Sequence, residues 1–182
     1  MMDSYFEIKA LPNAEIIQSA VVSELLQELH RHLPAYEGRI ALAFPAYGQQ
    51  RTLGGILRLL GDEEDIKGFH TLLLKSSLIQ DYALQTVVKT VPDNVDKFGC
   101  YQRKHARGNS RLQRLKRRHQ ERGTWTEELE QAMFDKVSQP VHLPHLGLKS
   151  SSTGQQFLLF VEKKSGNKCV KGAFNAYGLS VN

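Results

Sequence analysis

Between Tyr5 and Val91 the chain switches repeatedly between hydrophobic periods of two and of 3.6 residues, and proline closes most of the segments. That succession leaves few folds open. Residues 5–11 (YFEIKAL) read as a strand, punctuated by Pro12-Asn13. From Ala14 to Leu33, the residues Ile17, Val21, Leu25, Leu29 and Leu33 recur at helical spacing. Val22 and Leu26 widen that stripe, and Pro34 ends it. Arg39–Phe44 (RIALAF) is a second strand stopped by Pro45, and residues 46–54 form a polar loop. Gly55–Leu60 supplies a third strand. Asp62 is placed to cap a helix carrying Ile66, Phe69, Leu72 and Leu73, whose acidic first turn suits the helix dipole. Tyr82–Val91 reads as a fourth strand ended by Pro92. The order β-α-β-β-α-β is the split-βαβ, ferredoxin-like (RRM-like) arrangement. The fold class expected is therefore α+β.

Residues 93–100 read as a linker. After them, Asn109 or Ser110 can cap a helix that runs to Arg122 and stops at Gly123. A shorter helix follows from Thr126 to Val137, and Gln156–Val161 (QFLLFV) is the one clear strand of the tail. This gives two domains, residues 1–93 and 94–182.

The net charge of +5 becomes informative once it is located. Between Lys97 and Arg122 lie ten basic residues opposed only by Glu121, while the rest of the chain holds 14 basic and 18 acidic residues. An acidic body thus carries one cationic strip, the distribution expected of a focused polyanion site. On a helix, Arg111, Arg114, Arg117, Arg118 and Arg122 share a broad face, with Leu112, Leu115 and His119 beside it. The guanidinium fork matches phosphate oxygens, and the near absence of interleaved acids argues against a merely solvated face.

Other chemistries find little support. The chain lacks metal-ligand spacing, a phosphate-binding glycine loop, a nucleophile elbow and a dinucleotide fingerprint. No cofactor or metal is expected. Cys100 and Cys169 are isolated and read as free thiols. No apolar run approaches the ~20 residues of a membrane span. The opening MMDSYFEIKA lacks the arrangement of a secretory signal, so a cytoplasmic protein is expected. A generic single-strand binder would need an aromatic RNP motif, which neither GILRLL nor RIALAF supplies. Near the C-terminus stand two polar segments, LKSSSTGQQFLLFV (148–161) and FNAYGLS (174–180). Their serines, lysine and glycine can hold a phosphate, although taken alone they read as ordinary loops.

Those two segments carry a resemblance. With MDSYFEIKALP, the helix ending LLQELH, RIALAFP and the basic KRRH, they make the chain resemble the Csy-type CRISPR-associated repeat-RNA endoribonuclease of subtype I-F, over essentially its whole length. The resemblance implies a ferredoxin-like domain joined to a domain whose arginine-rich helix grips an RNA hairpin. It implies metal-independent cleavage of precursor transcripts at the 3′ base of the repeat hairpin by the RNA's own 2′-hydroxyl, leaving a cyclic phosphate and a 5′-hydroxyl. It also implies that the protein, monomeric when free, stays bound to the mature crRNA hairpin beside other effector-complex subunits. His30 matches the family's general base, Ser150 the serine holding the 2′-hydroxyl, and Tyr177 the tyrosine orienting the histidine. Ser152 and Thr153 match contacts to the scissile region, and Phe157 an aromatic stacked under the last base pair. Arg103 matches a base-reading arginine, and His105 stands where the family has glutamine. Arg107 and the five helix arginines complete the RNA-binding set. The alternative from another class is a non-catalytic hairpin-binding subunit; His30, Ser150 and Tyr177 separate the two.

Overall fold

The structure is a computed structural model that describes residues 2–11, 15–95, 98–105, 109–138, 141–150, 153–166 and 173–181, with backbone alone at 50, 109–112 and 136–138. Residues 1–104 and 143–182 together form one compact unit, and residues 105–142 form a second. The sequence division at 93/94 differs, because the second sheet, though late in the chain, packs with the first.

In the first unit, strand β1 (Ser4–Ala10) is followed by helix α1 (Gln18–His32), strand β2 (Ala41–Ala43) and strand β3 (Ile56–Gly61). Helix α2 (Glu63–Leu73), helix α3 (Ser77–Tyr82) and strands β4 (Ala83–Gln85) and β5 (Lys89–Thr90) come next. The antiparallel sheet runs β2-β3-β1-β4, with β5 also on β1. Alternation buries Phe6, Ile8 and Ala10 of β1 and Leu57 and Leu59 of β3. Against that face lie Val21, Val22, Leu25, Leu26 and Leu29 of α1 and Ile66, Phe69 and Leu73 of α2. Ile17, which precedes α1, and Leu72, both expected on these stripes, are exposed. Asp62 caps α2 as expected, its carboxylate accepting from the Asp65 N–H at 2.9 Å.

The expected continuous strand Tyr82–Val91 is corrected by the structure. The α3 helix takes its first residue, and the rest splits into β4 and β5. Gln85 faces Ile8 whereas Lys89 faces Tyr5, so three residues of one strand lie opposite two of the other. This is a one-residue bulge. Thr86 stabilises it, its Oγ1 accepting from the Glu7 N–H at 3.0 Å and its own N–H donating to the Glu7 carbonyl at 2.9 Å.

A second sheet completes this unit. Strand β6 (Phe98–Lys104) pairs with strand β8 (Gln156–Gly166), which also pairs with strand β7 (His145–Lys149). The stretch expected to be a linker to residue 100 thus already begins a strand at Phe98, and β7 is an element the hydrophobic pattern does not announce. Leu146, Leu148, Leu159 and Val161 turn inward, where β7 meets α1. Two phenol hydroxyls tie the sheets together: Tyr101 donates to the Phe44 carbonyl at 2.9 Å and Tyr47 to the Val161 carbonyl at 2.8 Å. Burial raises the Tyr47 phenol above its ordinary range, so it remains a donor.

The second unit holds helix α4 (Asn109–Glu121) and helix α5 (Glu127–Ser138). Gly123 adopts φ +66° between them, and Thr126 Oγ1 accepts from the Leu129 N–H at 3.2 Å to open α5. Lys116 joins the helices by an ion pair to Glu130 at 2.5 Å and sits 5.3 Å from the centre of the Trp125 ring. The ammonium beside Glu130 holds its carboxyl below the usual carboxylate range. Among the described residues no helix is long and apolar enough to cross a membrane.

Candidate functional site

His30 lies in the last turn of α1, one turn beyond Leu26, so the apolar stripe buries the helix while leaving this ring partly exposed. Its imidazole stacks on Tyr177, centroids 4.0 Å apart and planes within 10°. Its Nδ1 lies 2.7 Å from the Ala176 carbonyl oxygen, across 146 residues of sequence. A carbonyl only accepts, so Nδ1 carries the hydrogen, and in the neutral ring Nε2 bears the lone pair.

Tyr177 belongs to a turn pinned on both sides. The Gly178 carbonyl accepts from the Leu42 N–H of β2 at 2.7 Å, and the Ser180 N–H donates to the Tyr101 carbonyl of β6 at 2.8 Å. Gly178 has φ +70°, and a Cβ there would come within 2.9 Å of Leu42 Cβ and 3.0 Å of its backbone nitrogen. Glycine is therefore required both by conformation and by the approach of the two backbones. Burial raises the Tyr177 hydroxyl above its ordinary value, partly opposed by the Arg103 charge. It therefore stays a neutral phenol where histidines titrate.

Arg103, near the end of β6, places its guanidinium carbon 5.4 Å from the Phe157 ring centre and 5.9 Å from that of Tyr177. Two aromatic faces thus hold one cationic fork. Phe157, the second residue of β8, is partly buried and packs against the hydrophobic core. His105, just past β6, is exposed.

Ser150 follows β7 and organises the start of a tight loop. Its N–H donates to the Gln155 carbonyl at 2.9 Å, its carbonyl accepts from the Gly154 N–H at 2.9 Å, and its Oγ accepts from the Thr153 N–H at 3.3 Å. Thr153 Oγ1 in turn accepts from the Gln155 N–H at 3.4 Å. The last residue of β7 is tied to the histidine helix: Gln27 Oε1 accepts from the Lys149 N–H at 3.2 Å, one residue before Ser150 and one helical turn before His30. The sequence reading missed Gln27, whose only signal is its spacing of three from His30.

The structure thus brings His30, Tyr177, Arg103 and Phe157 into one cluster, with Lys149, the residue before Ser150, tied to the same helix as His30. In the second unit Arg114, Arg117, Arg118 and Arg122 are all exposed. Arg117 forms an i,i+4 pair with Glu121 at 3.1 Å, both partners open to solvent, so that pair is weak. Lys116 faces α5. Arg111 is described by its backbone within α4; Arg107, Ser152 and Cys169 lie outside the described residues. Among the described residues, no three His, Cys, Asp or Glu side chains form a metal-ligating group.

Comparison with known proteins narrows the meaning of this arrangement. Residues 5–182 match the family described as CRISPR-associated protein (Cas_Csy4). A protein of Escherichia coli (strain UTI89 / UPEC), named CRISPR-associated endonuclease Cas6/Csy4, is 33% identical over 182 residues, covering 98% of this chain and 96% of that protein. One of Pseudomonas aeruginosa (strain UCBPP-PA14) with the same name is 32% identical over 185 residues, with the same coverage. A family match spanning nearly every residue, with relatives collinear from end to end, leaves no separate domain to carry the likeness: the chain belongs to the Csy4 family of CRISPR-associated proteins.

Proposed function

We propose that this protein is a CRISPR repeat endoribonuclease that cuts precursor transcripts at the 3′ base of the repeat hairpin and then retains the hairpin of the mature crRNA. The observation that carries this reading is the His30–Tyr177 stack with His30 Nδ1 held on a carbonyl, which leaves Nε2 as a base. The relatives named endonucleases support the reaction class. The strand order β2-β3-β1-β4 with both helices on one face supports reading residues 1–93 as the ferredoxin-like domain.

In the proposed step, His30 Nε2 removes the proton of the 2′-hydroxyl upstream of the scissile phosphate. The 2′-oxygen bonds to phosphorus, the P–O5′ bond breaks, and the leaving 5′-oxygen takes up a proton from solvent. The products are a 2′,3′-cyclic phosphate and a 5′-hydroxyl. An internal nucleophile needs position and a base, not an activated water. Ser150 Oγ positions the 2′-hydroxyl, and Thr153 and Ser152 contact the scissile region. Phe157 offers its face beneath the last base pair, while Arg103, held by two rings, aims its fork at guanine N7 and O6. His105 replaces the bidentate reach of glutamine with a single ring nitrogen, which alters the base pair read there. The arginines of α4, with Arg107, neutralise phosphates in the hairpin's major groove.

The deciding assay uses a labelled repeat hairpin in excess EDTA. One cut is expected, and a 2′-deoxy substitution just upstream of the scissile phosphate should abolish it. Cleavage that needs magnesium, or that survives the deoxy substitution, overturns the mechanism. Tight binding without any cut would instead identify a non-catalytic hairpin-binding subunit.

Gln27→Ala tests the link between base and serine. One lost hydrogen bond of about 1 kcal/mol corresponds to a roughly 3- to 10-fold slower single-turnover cut. Hairpin affinity should stay unchanged, as a filter-binding titration would read.

A further inference from the structure

The turn that carries Tyr177 is organised by one side chain with no assigned role. Asn175 Oδ1 accepts from the Tyr177 N–H at 2.9 Å and from the Leu179 N–H at 3.2 Å. Its own N–H donates to the Leu179 carbonyl at 2.9 Å, and its carbonyl accepts from the Gly178 N–H at 2.8 Å. A short amide side chain that accepts from amides two and four residues ahead is an Asx-type closure, which replaces hydrogen bonds the backbone cannot make in so tight a turn. The closure encloses Ala176, whose carbonyl faces His30 Nδ1 at 2.7 Å, and it holds the amide of the residue whose ring covers the imidazole.

We infer that Asn175 is a positioning residue that sets the tautomer of His30. By fixing the Ala176 carbonyl it keeps the neutral ring in the Nδ1–H form, the less favoured one for a free histidine side chain, and so keeps Nε2 unprotonated. Without the two Asn175 bonds the Ala176 peptide can rotate, its carbonyl leaves Nδ1, and the ring returns to the mixture dominated by Nε2–H. In that form Nε2 is a donor and cannot take a proton. The consequence for cutting rests on His30 being the base proposed above; the tautomer itself does not.

The test is nitrogen NMR of the full chain labelled at histidine, recorded at alkaline pH on the neutral ring. The His30 signals are identified by their loss in His30→Ala. Wild type is expected to show Nδ1–H at His30. Asn175→Ala should move the population toward Nε2–H, slow single-turnover cutting roughly 10- to 100-fold, and leave hairpin affinity within twofold. Asn175→Asp keeps the accepting oxygen and should restore the Nδ1–H form. Should Asn175→Ala fail to fold, Asn175→Ser, whose shorter side chain reaches less far, takes its place. An Nε2–H form in wild type, or an unchanged tautomer in the folded variants, overturns the inference. A shifted tautomer combined with undiminished cutting by His30→Ala would uphold it and overturn the base assignment instead.

Discussion

Replacing His30 by alanine is expected to slow hairpin cleavage by about 10³-fold, within the range by which a positioned general base accelerates a reaction. Hairpin affinity should change by less than about threefold. The separation follows from where the residue sits. His30 lies in the last turn of α1 in the first compact unit, stacked on Tyr177, whereas the exposed arginines of α4 belong to the second. Removing the imidazole would delete the proposed base without removing a cation from α4. The core should hold as well, because the apolar stripe of α1 is carried by Val21, Val22, Leu25, Leu26 and Leu29. Single-turnover cleavage and equilibrium binding, measured on the same preparation, check both halves. A variant that cut at the wild-type rate would remove His30 from the mechanism. Parallel loss of binding would mean that the ring holds RNA and does not activate it.

Arg114→Ala combined with Arg118→Ala should produce the reverse pattern. Each arginine that neutralises a phosphate releases roughly one counterion, so the slope of log affinity against log salt should flatten by about 1.5 to 2. Charge-assisted bonds of about 1.5–3 kcal/mol each place the affinity loss on the order of 100-fold or more near physiological salt. Once saturated with RNA, the double variant should still cut at close to the wild-type rate. An unchanged salt slope in the double variant would show that α4 does not bear on the phosphates.

The largest departures from the sequence expectations concern pairing over distance. The strand expected over Tyr82–Val91 is a continuous strand-like run in the sequence. Its break at Thr86 depends on a mismatch of one residue against β1, which no local pattern encodes. Strands β6 and β7 look like linker and tail in the sequence because each has few inward apolar residues: Leu146 and Leu148 in one, Tyr101 in the other. They become strands only because β8 lies between them and supplies hydrogen bonds to both. By contrast, most of α1 and α2 is legible, since helical hydrogen bonds are local and apolar stripes recur within a few residues. Even so, α1 begins at Gln18 and not at Ala14, and Ile17 and Leu72 of the expected stripes are exposed.

The same division runs through the site. The sequence by itself determined that one segment is strongly cationic, where the caps and breakers of several helices lie, and, through the quoted motifs, which residues match a known family. Charge and periodicity are properties of neighbours along the chain. Only the tertiary structure decided that Ala176 offers its carbonyl to His30, that Arg103 rests between Phe157 and Tyr177, and that Gln27 ties the last residue of β7 to the histidine helix. Each of these contacts joins segments that meet only after two sheets have packed around α1. Asn175 is the clearest case: in sequence it is one polar residue in a turn. Its position under Ala176 and Tyr177 is set by the docking of that turn between β2 and β6.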